Sequence, residues 1–117
     1  MASFLAVLLA STSLQITVWP HGPNEGKRAW TLRCAPVGGT LPQRANACRR
    51  LATMTRPFRT APSDVVCTQI YGGPQTALVT GRLDGRRVRA RFDRHNGCEI
   101  ARWNRVRFLF PVATGRR

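Results

Sequence analysis

The sequence predicts an α+β fold, in which an antiparallel sheet of about five strands packs with two helices as an α/β sandwich. Short segments with alternating apolar and polar residues indicate strands that bury one face. An Asp-Gly pair between two of these segments is typical of a two-residue hairpin turn. The four cysteines form an even set without a Cys-x-x-Cys pair, which favours two disulfides over a zinc site. A length of 117 residues allows one domain.

The first half of the chain predicts two strands and one helix. Residues 14–18 and 29–34 alternate and are predicted strands, separated by a turn that contains proline and glycine. Residues 35–42 are rich in glycine and proline and are predicted to form a loop. A helix is predicted over residues 43–54, with Pro42 in its first turn. The apolar residues that recur there at helical spacing are Ala47, Leu51 and Met54.

The second half contains the strongest local structural signal. Residues 75–83 and 86–93 flank Asp84-Gly85, which predicts a hairpin with both turn residues at positive φ. The alternation assigns one set of side chains to the core, namely Ala77, Val79, Gly81, Val88, Ala90 and Phe92. It assigns the other set to a solvated face, namely Leu78, Thr80, Arg82, Arg87, Arg89 and Arg91.

An exposed loop is predicted at residues 64–74, after a proline-bounded connector. The loop contains a cysteine within an apolar-to-polar segment and ends in Gly-Gly-Pro. Residues 65–74 hold no general base, metal-ligand cluster or phosphate cradle, so we interpret the loop as a segment tied by a disulfide and presented to a partner. Downstream, residues 99–105 are predicted to form a helix with Trp103 turned inward, and residues 106–110 to form a final strand.

The charge balance is strongly basic. Nineteen Lys and Arg residues oppose five acids, which gives a net charge of +14. Such a charge attracts polyanions, including nucleic acid, anionic lipid and cell-wall polymer. The basic residues are dispersed and do not form a long run, so a solvated surface in which arginine replaces lysine is the competing interpretation.

The cysteines and the N-terminus predict a secreted protein, because disulfides form in oxidising compartments. Spacing alone leaves all three pairings of the four cysteines open. Residues 1–12 are interpreted as a leader, since residues 4–10 resemble the apolar core of a secretory signal, although no basic residue precedes them. The leader is either a truncated signal or the product of a misplaced start codon, and it is too short to span a bilayer. The domain is expected over residues 13–112 and a flexible basic tail over residues 113–117.

The chain resembles the subtilisin inhibitor-like family of secreted bacterial serine-protease inhibitors. The resemblance covers about residues 13–111 and rests on the order of its pieces together with the cysteine spacing. The pieces are LQITV at 14–18, TLRCAP at 31–36, GTLP at 39–42, ANACRRL at 45–51, DVVCTQIY at 64–71, VTG at 79–81 and NGCE at 96–99.

This resemblance implies the disulfide pairing, the fold and the oligomeric state of the protein. It implies disulfides Cys34–Cys48 and Cys67–Cys98, a five-stranded antiparallel sheet covered by two helices, and homodimers formed through the sheets. We expect no enzymatic activity, no cofactor and no metal. The implied partner is an extracellular serine protease of the subtilisin type.

The resemblance also implies a reactive bond two residues after the third cysteine, between Gln69 and Ile70. Gln69 would then be the P1 residue that sets specificity. The other implied loop contacts are Val66, Thr68 and Tyr71. Uncharged Gln69 offers nothing to the acidic pocket of trypsin-type enzymes, so the sequence predicts a preference for subtilisin-like enzymes.

Rigidity is the physical basis of this type of inhibition, because a loop that is already ordered loses little entropy on binding. A Cys67–Cys98 bridge would pin the loop just before the reactive bond. The resemblance implies that Asn96 braces the loop backbone, for which its amide would donate to a loop carbonyl. Ordinary disulfide staples with no role in the loop are the competing interpretation of the cysteines.

Two other functions compete with inhibition. The first is a cationic binding protein for nucleic acid or envelope polyanions, supported by the charge and by stackable tryptophans. The second is an enzyme, since His95 and Asp93 with a serine would make a triad, but the sequence contains no nucleophile elbow. Exposed Gln69 is also a candidate acyl donor for a transglutaminase, which is compatible with inhibition.

The arginines of the second hairpin strand complicate the implied homodimer. Stacking two sheets would bring Arg87, Arg89 and Arg91 close to their symmetry mates, and unpaired like charges are costly to bury. The sequence therefore leaves two interpretations: this row lies at the rim of the dimer, or the protein is monomeric.

Overall fold

Five antiparallel strands form one sheet, and two helices cover one of its faces. The computed structural model describes residues 11–111, so most of the predicted leader and all of the predicted tail lie outside the described residues. The elements in chain order are β1 (Thr12–Trp19), β2 (Arg28–Cys34), β3 (Gly38–Gly39), α1 (Arg44–Ala52), β4 (Thr76–Leu83), β5 (Arg86–Phe92), α2 (Gly97–Arg105) and a 3-10 helix (Arg107–Leu109). The sheet order is β3-β2-β1-β4-β5. The predicted fold class is confirmed.

The central strand β1 follows the predicted alternation. Leu14, Ile16 and Val18 are buried, while the residues between them face outward. On either side of β1, Leu14 pairs with Leu32 of β2 and Ile16 pairs with Val79 of β4. These side chains and those of both helices belong to a single buried cluster, so both helices lie on the same face.

The hairpin of β4 and β5 forms as predicted. Asp84 and Gly85 have φ values of 51° and 82°, which match the right-handed twist of the strands they join. The register opposes Leu83 to Arg86, so alternate residues enter the core and the outer face carries the predicted arginines. Strand β5 forms one edge of the sheet that the described residues build.

Helix α1 begins later than predicted. It starts at Arg44, because Gln43 takes a left-handed conformation with φ of 56° and separates Pro42 from the helix. Pro42 is therefore not in the first turn. Ala47 and Leu51 are buried as predicted, and α1 ends at Ala52. The Cys34–Cys48 disulfide joins α1 to the end of β2, with the two Cα atoms 5.7 Å apart.

The fifth strand is not the one that the sequence predicts. The predicted loop contains β3, where Gly38 and Gly39 pair with β2. Gly39 has φ of 106°, and a Cβ at this position would collide with the carbonyl of Thr31. The strand is too short to show a periodic pattern, and its glycines indicate a loop when the sequence is considered alone.

The predicted strand at residues 106–110 is wrong, since the 3-10 helix lies there. Val106, Leu109 and Phe110 are fully buried, and their i, i+3, i+4 spacing is helical rather than alternating. Phe110 packs 4.6 Å from Trp103 and 5.4 Å from Phe92, measured between ring centroids. The burial of Trp103 on α2 confirms its predicted inward position.

Among residues 11–111, no helix is long and apolar enough to cross a bilayer.

Candidate functional site

The loop at residues 64–74 is exposed and has neither helix nor strand. Gln69 lies at the surface between Thr68 and Ile70, both exposed as well. Four of the five large apolar side chains that the described residues leave exposed belong to this loop, namely Val65, Val66, Ile70 and Tyr71. Val66 is 94% exposed. Apolar side chains clustered in water indicate a contact surface.

The entry side of the loop is held by the second disulfide. Cys67 is bonded to Cys98 in the first turn of α2, with the Cα atoms 5.3 Å apart. Next to it, the backbone N–H of Gly97 donates to the carbonyl of Thr68 at 2.8 Å. The loop is thus tied covalently and by a hydrogen bond just before Gln69.

The Thr68 carbonyl accepts a second hydrogen bond from within the loop. The N–H of Ile70 donates to it at 2.9 Å, so the bond spans Gln69. The Gln69 amide Nε2 donates to the carbonyl of Cys67 at 3.2 Å. These bonds restrict the backbone on both sides of Gln69, at the position where the resemblance implies the reactive bond.

The exit side is held by Arg94, which the sequence did not indicate. Gly72 N–H donates to the Arg94 carbonyl at 2.6 Å, and Arg94 Nε donates back to the Gly72 carbonyl at 3.1 Å. Arg94 Nη1 also donates to Asn104 Oδ1 on α2 at 3.0 Å. Burial of the guanidinium, and then the nearby charge of Arg107, lower the pKa of Arg94. The two acceptor oxygens offset the cost of burying this charge.

A stacked ring pair supports the same side. The Tyr71 and His95 rings lie nearly parallel, with centroids 5.9 Å apart and an interplanar angle of 9°. The backbone N–H of His95 donates to Asp93 Oδ1 at 3.0 Å, which fixes the turn that carries the imidazole. His95 and Asp93, considered above for a triad, thus support the loop.

Asn96 forms the N-cap of α2. Its Oδ1 accepts a hydrogen bond from Glu99 N–H at 3.0 Å, and its backbone is extended as a cap requires. The hydrogen bond that supports the loop at this point is donated by the backbone N–H of the next residue, Gly97, to the Thr68 carbonyl. A hydrogen bond from the Asn96 amide to a loop carbonyl stays a prediction.

The loop and α2 approach each other closely at two glycines. A Cβ on Gly97 would lie 3.1 Å from Thr68 Cβ, and one on Gly72 would lie 2.8 Å from Ile100 Cδ1. Such distances are below ordinary van der Waals contact. The loop is therefore packed against the start of α2 as well as bonded to it.

The disulfide, the hydrogen bonds from Gly97 and Arg94 and the ring contact of His95 all reach the loop from residues 94–98. The sequence indicated Cys98 and Asn96, but it did not reveal Arg94, Gly97 or the His95 ring, because none of these belongs to a local pattern. All four cysteines are in disulfides. In the described part of the chain, no three His, Cys, Asp or Glu residues come together to hold a metal.

The fold and the site define a class: small, disulfide-stapled α+β proteins that present a braced peptide loop. Residues 10–96 match the family described as subtilisin inhibitor-like. The chain belongs to this family, which consists of protease inhibitors rather than enzymes.

Individual relatives agree with this assignment. A subtilisin inhibitor of Streptomyces violaceus is 39% identical over 88 residues, which cover 69% of this chain and 60% of the relative. Subtilisin inhibitor-like protein 1 of Streptomyces cacaoi is 39% identical over 79 residues, covering 63% of this chain and 71% of the relative. The chain thus spans less than two thirds of the first relative.

A solved structure is also similar. It is the crystal structure of Streptomyces caespitosus sermetstatin in complex with Bacillus licheniformis subtilisin. The two chains are 27% identical with a TM-score of 0.51, and the similarity covers 82% of this chain and 96% of the other.

Proposed function

We propose that this protein inhibits subtilisin-like serine proteases by presenting residues 64–74 as a substrate that is not released. The reactive bond is Gln69–Ile70. The observation that carries the proposal is the combination of an exposed bond with supports on both sides, by Cys98 and Gly97 before it and by Arg94 after it. The names of the relatives support the same activity.

Binding would follow the geometry of strand addition. Residues 66–68 enter the cleft of the protease as an extended segment, and their backbone groups bond to the edge of the enzyme. Val66 is the P4 residue. Its side chain is almost fully exposed and fits the apolar S4 pocket of the enzyme. Thr68 occupies P2, and Ile70 and Tyr71 contact the enzyme beyond the scissile bond.

Slow turnover follows from the supports. After the enzyme's serine attacks the Gln69 carbonyl, the new amino terminus at Ile70 remains in place because Gly72 and Arg94 are bonded to each other on that side. Effective concentrations of tethered groups are high, so the bond reforms faster than water replaces the amine.

The nature of Gln69 predicts the class of target. Its side chain is long, polar and uncharged, and it cannot pair with the carboxylate at the bottom of a trypsin pocket. Leaving that carboxylate buried and unpaired is costly. Enzymes with a wide, largely apolar pocket meet no such cost.

Titration of subtilisin activity with the purified protein tests the proposal. We expect stoichiometric inhibition, and mass spectrometry should find the protein intact or cut only after Gln69. A parallel titration of trypsin should give a weaker inhibition constant. Absence of subtilisin inhibition, or a cut outside the loop, would refute the proposed activity.

We further propose that the protein acts outside the cell. Its two disulfides, Cys34–Cys48 and Cys67–Cys98, form in an oxidising compartment. Expression with the native N-terminus in a secreting host, followed by N-terminal sequencing of the medium, tests this point. Retention of the whole product in the cytoplasm contradicts it.

We also propose a homodimer through the middle of the outer sheet face. Uncharged side chains lie there, namely Gln15 and Thr17 on β1 and Leu78 and Thr80 on β4. The arginines of β5 lie on the edge strand, which supports the interpretation that their row is at the rim. Sedimentation velocity decides the matter: a single species of monomer mass at micromolar concentration contradicts the dimer.

A further inference from the structure

A groove lined by arginines lies beside the edge strand β5. Its volume is about 650 Å³, and it runs between the connector after α1 and the turn end of β4 and β5. Four arginines line it, namely Arg56, Arg59, Arg86 and Arg87. Half-buried Phe58 and Val88 give it an apolar floor, and none of the described lining residues is acidic.

The basic surface continues around the edge of the sheet. A second hollow, of about 370 Å³, lies on the outer face and shares Arg87 and Val88 with the groove. It adds Arg82 and Arg89, and Arg82 lies directly across from Arg87 in the hairpin. We name the exposed side chains of Arg56, Arg59, Arg82, Arg86, Arg87, Arg89 and Arg91 the arginine surface.

One wall of the groove is fixed by a buried arginine. Arg102 on α2 is only 6% exposed, and it donates to the carbonyls of Arg59 at 2.9 Å and Phe58 at 3.4 Å. The same guanidinium is paired with Glu99 at 2.8 Å. The backbone that carries Phe58 and Arg59 is thus held in place, and a ligand meets a preformed groove.

We propose that the arginine surface binds single-stranded nucleic acid. The phosphates lie along β5, where Arg87, Arg89 and Arg91 recur about 7 Å apart on alternate residues. One base enters the groove over Phe58 and Val88. Guanidinium forks suit phosphate oxygens, and a basic track combined with an aromatic contact is how single strands are bound without sequence preference.

The shape of the surface favours this occupant over other polyanions. A row of arginines that wraps an edge strand suits a flexible linear chain better than a flat membrane. An apolar floor suits a planar base, which polyphosphate and wall polymers of the phosphodiester type lack. Single-stranded nucleic acid contacts both features at once, because its phosphates bind the arginines while a base packs on the apolar floor.

The arginine surface does not include the proposed reactive bond. The turn end of the groove, at Leu83 and Arg86, is separated from Thr76 by the length of β4, about 25 Å. The other end of the groove reaches Pro62, whose carbonyl accepts a hydrogen bond from Val65 at the start of the loop. Three of the five acids lie in the loop or its support, namely Asp64, Asp93 and Glu99. The proposal therefore goes beyond protease inhibition and does not depend on it.

Fluorescence anisotropy with a labelled oligothymidylate of about 12 nucleotides tests the proposal. The logarithm of the binding constant should fall with the logarithm of salt with a slope of about −3, as expected for roughly four phosphate contacts. Changing Arg86, Arg87 and Arg89 together to Gln should weaken binding at least about tenfold and reduce the slope by about 2.

A matched variant separates a site from diffuse attraction. Changing Lys27, Arg28 and Arg49 together to Gln also removes three positive charges, but from exposed positions outside the arginine surface. We expect it to weaken binding less than about threefold. Equal losses in the two variants, or no measurable binding by the native protein, would overturn the proposal.

The contribution of the base is measured separately. Phe58→Leu should weaken oligonucleotide binding severalfold and leave the binding of inorganic polyphosphate unchanged. Phe58 also packs against Phe92, with ring centroids 6.2 Å apart, so the substitution affects stability as well. The thermal unfolding of the variant is therefore measured first, and its binding is measured well below its Tm. Equal effects of Phe58→Leu on both ligands would overturn the assignment of a base to the groove.

Two competitors complete the test. Vesicles of phosphatidylglycerol should compete with the oligonucleotide only weakly, and tighter binding to vesicles would overturn the proposed ligand. Saturating oligonucleotide should leave subtilisin inhibition unchanged, whereas direct competition with subtilisin would place binding at the loop and overturn the site. The anisotropy titration stands even if subtilisin is not inhibited.

Discussion

The backbone N–H of Gly97 donates to the Thr68 carbonyl at 2.8 Å, and the Cβ that glycine lacks would lie 3.1 Å from Thr68 Cβ. The start of α2 thus supports the residue that precedes the proposed reactive bond. The two residues are far apart in sequence and meet because the Cys67–Cys98 disulfide brings their segments together.

Gly97→Ala tests this contact. The added methyl should displace Thr68 and weaken subtilisin inhibition about tenfold, or about 1.4 kcal/mol. Stability should not fall, because alanine is a better helix former than glycine. Gly26→Ala is the matched control, since a Cβ there meets nothing within 4 Å. Unchanged inhibition by Gly97→Ala would show that the contact does not position the loop.

Removing the disulfide beside the loop should convert the inhibitor into a slowly cleaved substrate. We expect Cys67→Ser with Cys98→Ser to be cut after Gln69 within hours, as followed by mass spectrometry. The control removes Cys34 and Cys48, because the two bridges constrain the unfolded chain by similar amounts, about 3.7 and 3 kcal/mol. The control should remain intact below its Tm, and equal cleavage of the two variants would argue against a special role of the loop bridge.

Arg94→Gln should release the exit side of the loop. The variant loses the Nε donor to the Gly72 carbonyl, and hydrogen bonds to charged groups contribute about 1.5–3 kcal/mol. We expect the ratio of cleaved to intact inhibitor at equilibrium to rise at least about tenfold. Arg107→Gln removes a nearby exposed charge and should leave the ratio unchanged. A rise in both variants would indicate an effect of charge alone.

Two substitutions of Asn96 separate its cap from its predicted brace. Asn96→Ala removes the Oδ1 that accepts from Glu99 N–H and should cost about 1 kcal/mol of unfolding free energy in urea. Asn96→Asp keeps that acceptor and removes the amide donor, so it should retain stability but inhibit more weakly. Full inhibition by Asn96→Asp would assign the residue to the cap alone.

Gln69→Lys should direct the loop to trypsin. A lysine pairs with the carboxylate of the trypsin pocket, so trypsin inhibition should improve on the order of 100-fold. Gln69→Met has a similar length without the charge and should bring no such gain. Similar trypsin constants for both variants would show that Gln69 does not enter the specificity pocket.

Local patterns explain why much of the fold was predictable. The β4–β5 hairpin forms as predicted because Asp84 and Gly85 adopt the positive φ values that few other residue pairs tolerate. The exposed loop was predicted because a proline-bounded connector and Gly-Gly-Pro cannot continue a helix or a central strand. In both cases the determining residues are neighbours in sequence.

The errors arose where burial rather than propensity decides the structure. Residues 106–110 are rich in residues that favour strands, but Val106, Leu109 and Phe110 all reach the same core only in a helical turn. Strand β3 forms because β2 offers a free edge to Gly38 and Gly39. Neither cause is present within the segment itself.

By itself, the sequence determined the fold class, the hairpin, the even set of cysteines and the position of the loop, because alternation and turn chemistry act between near neighbours. Only the tertiary structure decided what holds the loop. Gly97 meets Thr68, Arg94 meets Gly72 and His95 stacks on Tyr71 across more than twenty residues of chain. Hydrogen bonds and ring contacts at that separation depend on how the sheet and α2 pack, and no short pattern encodes them.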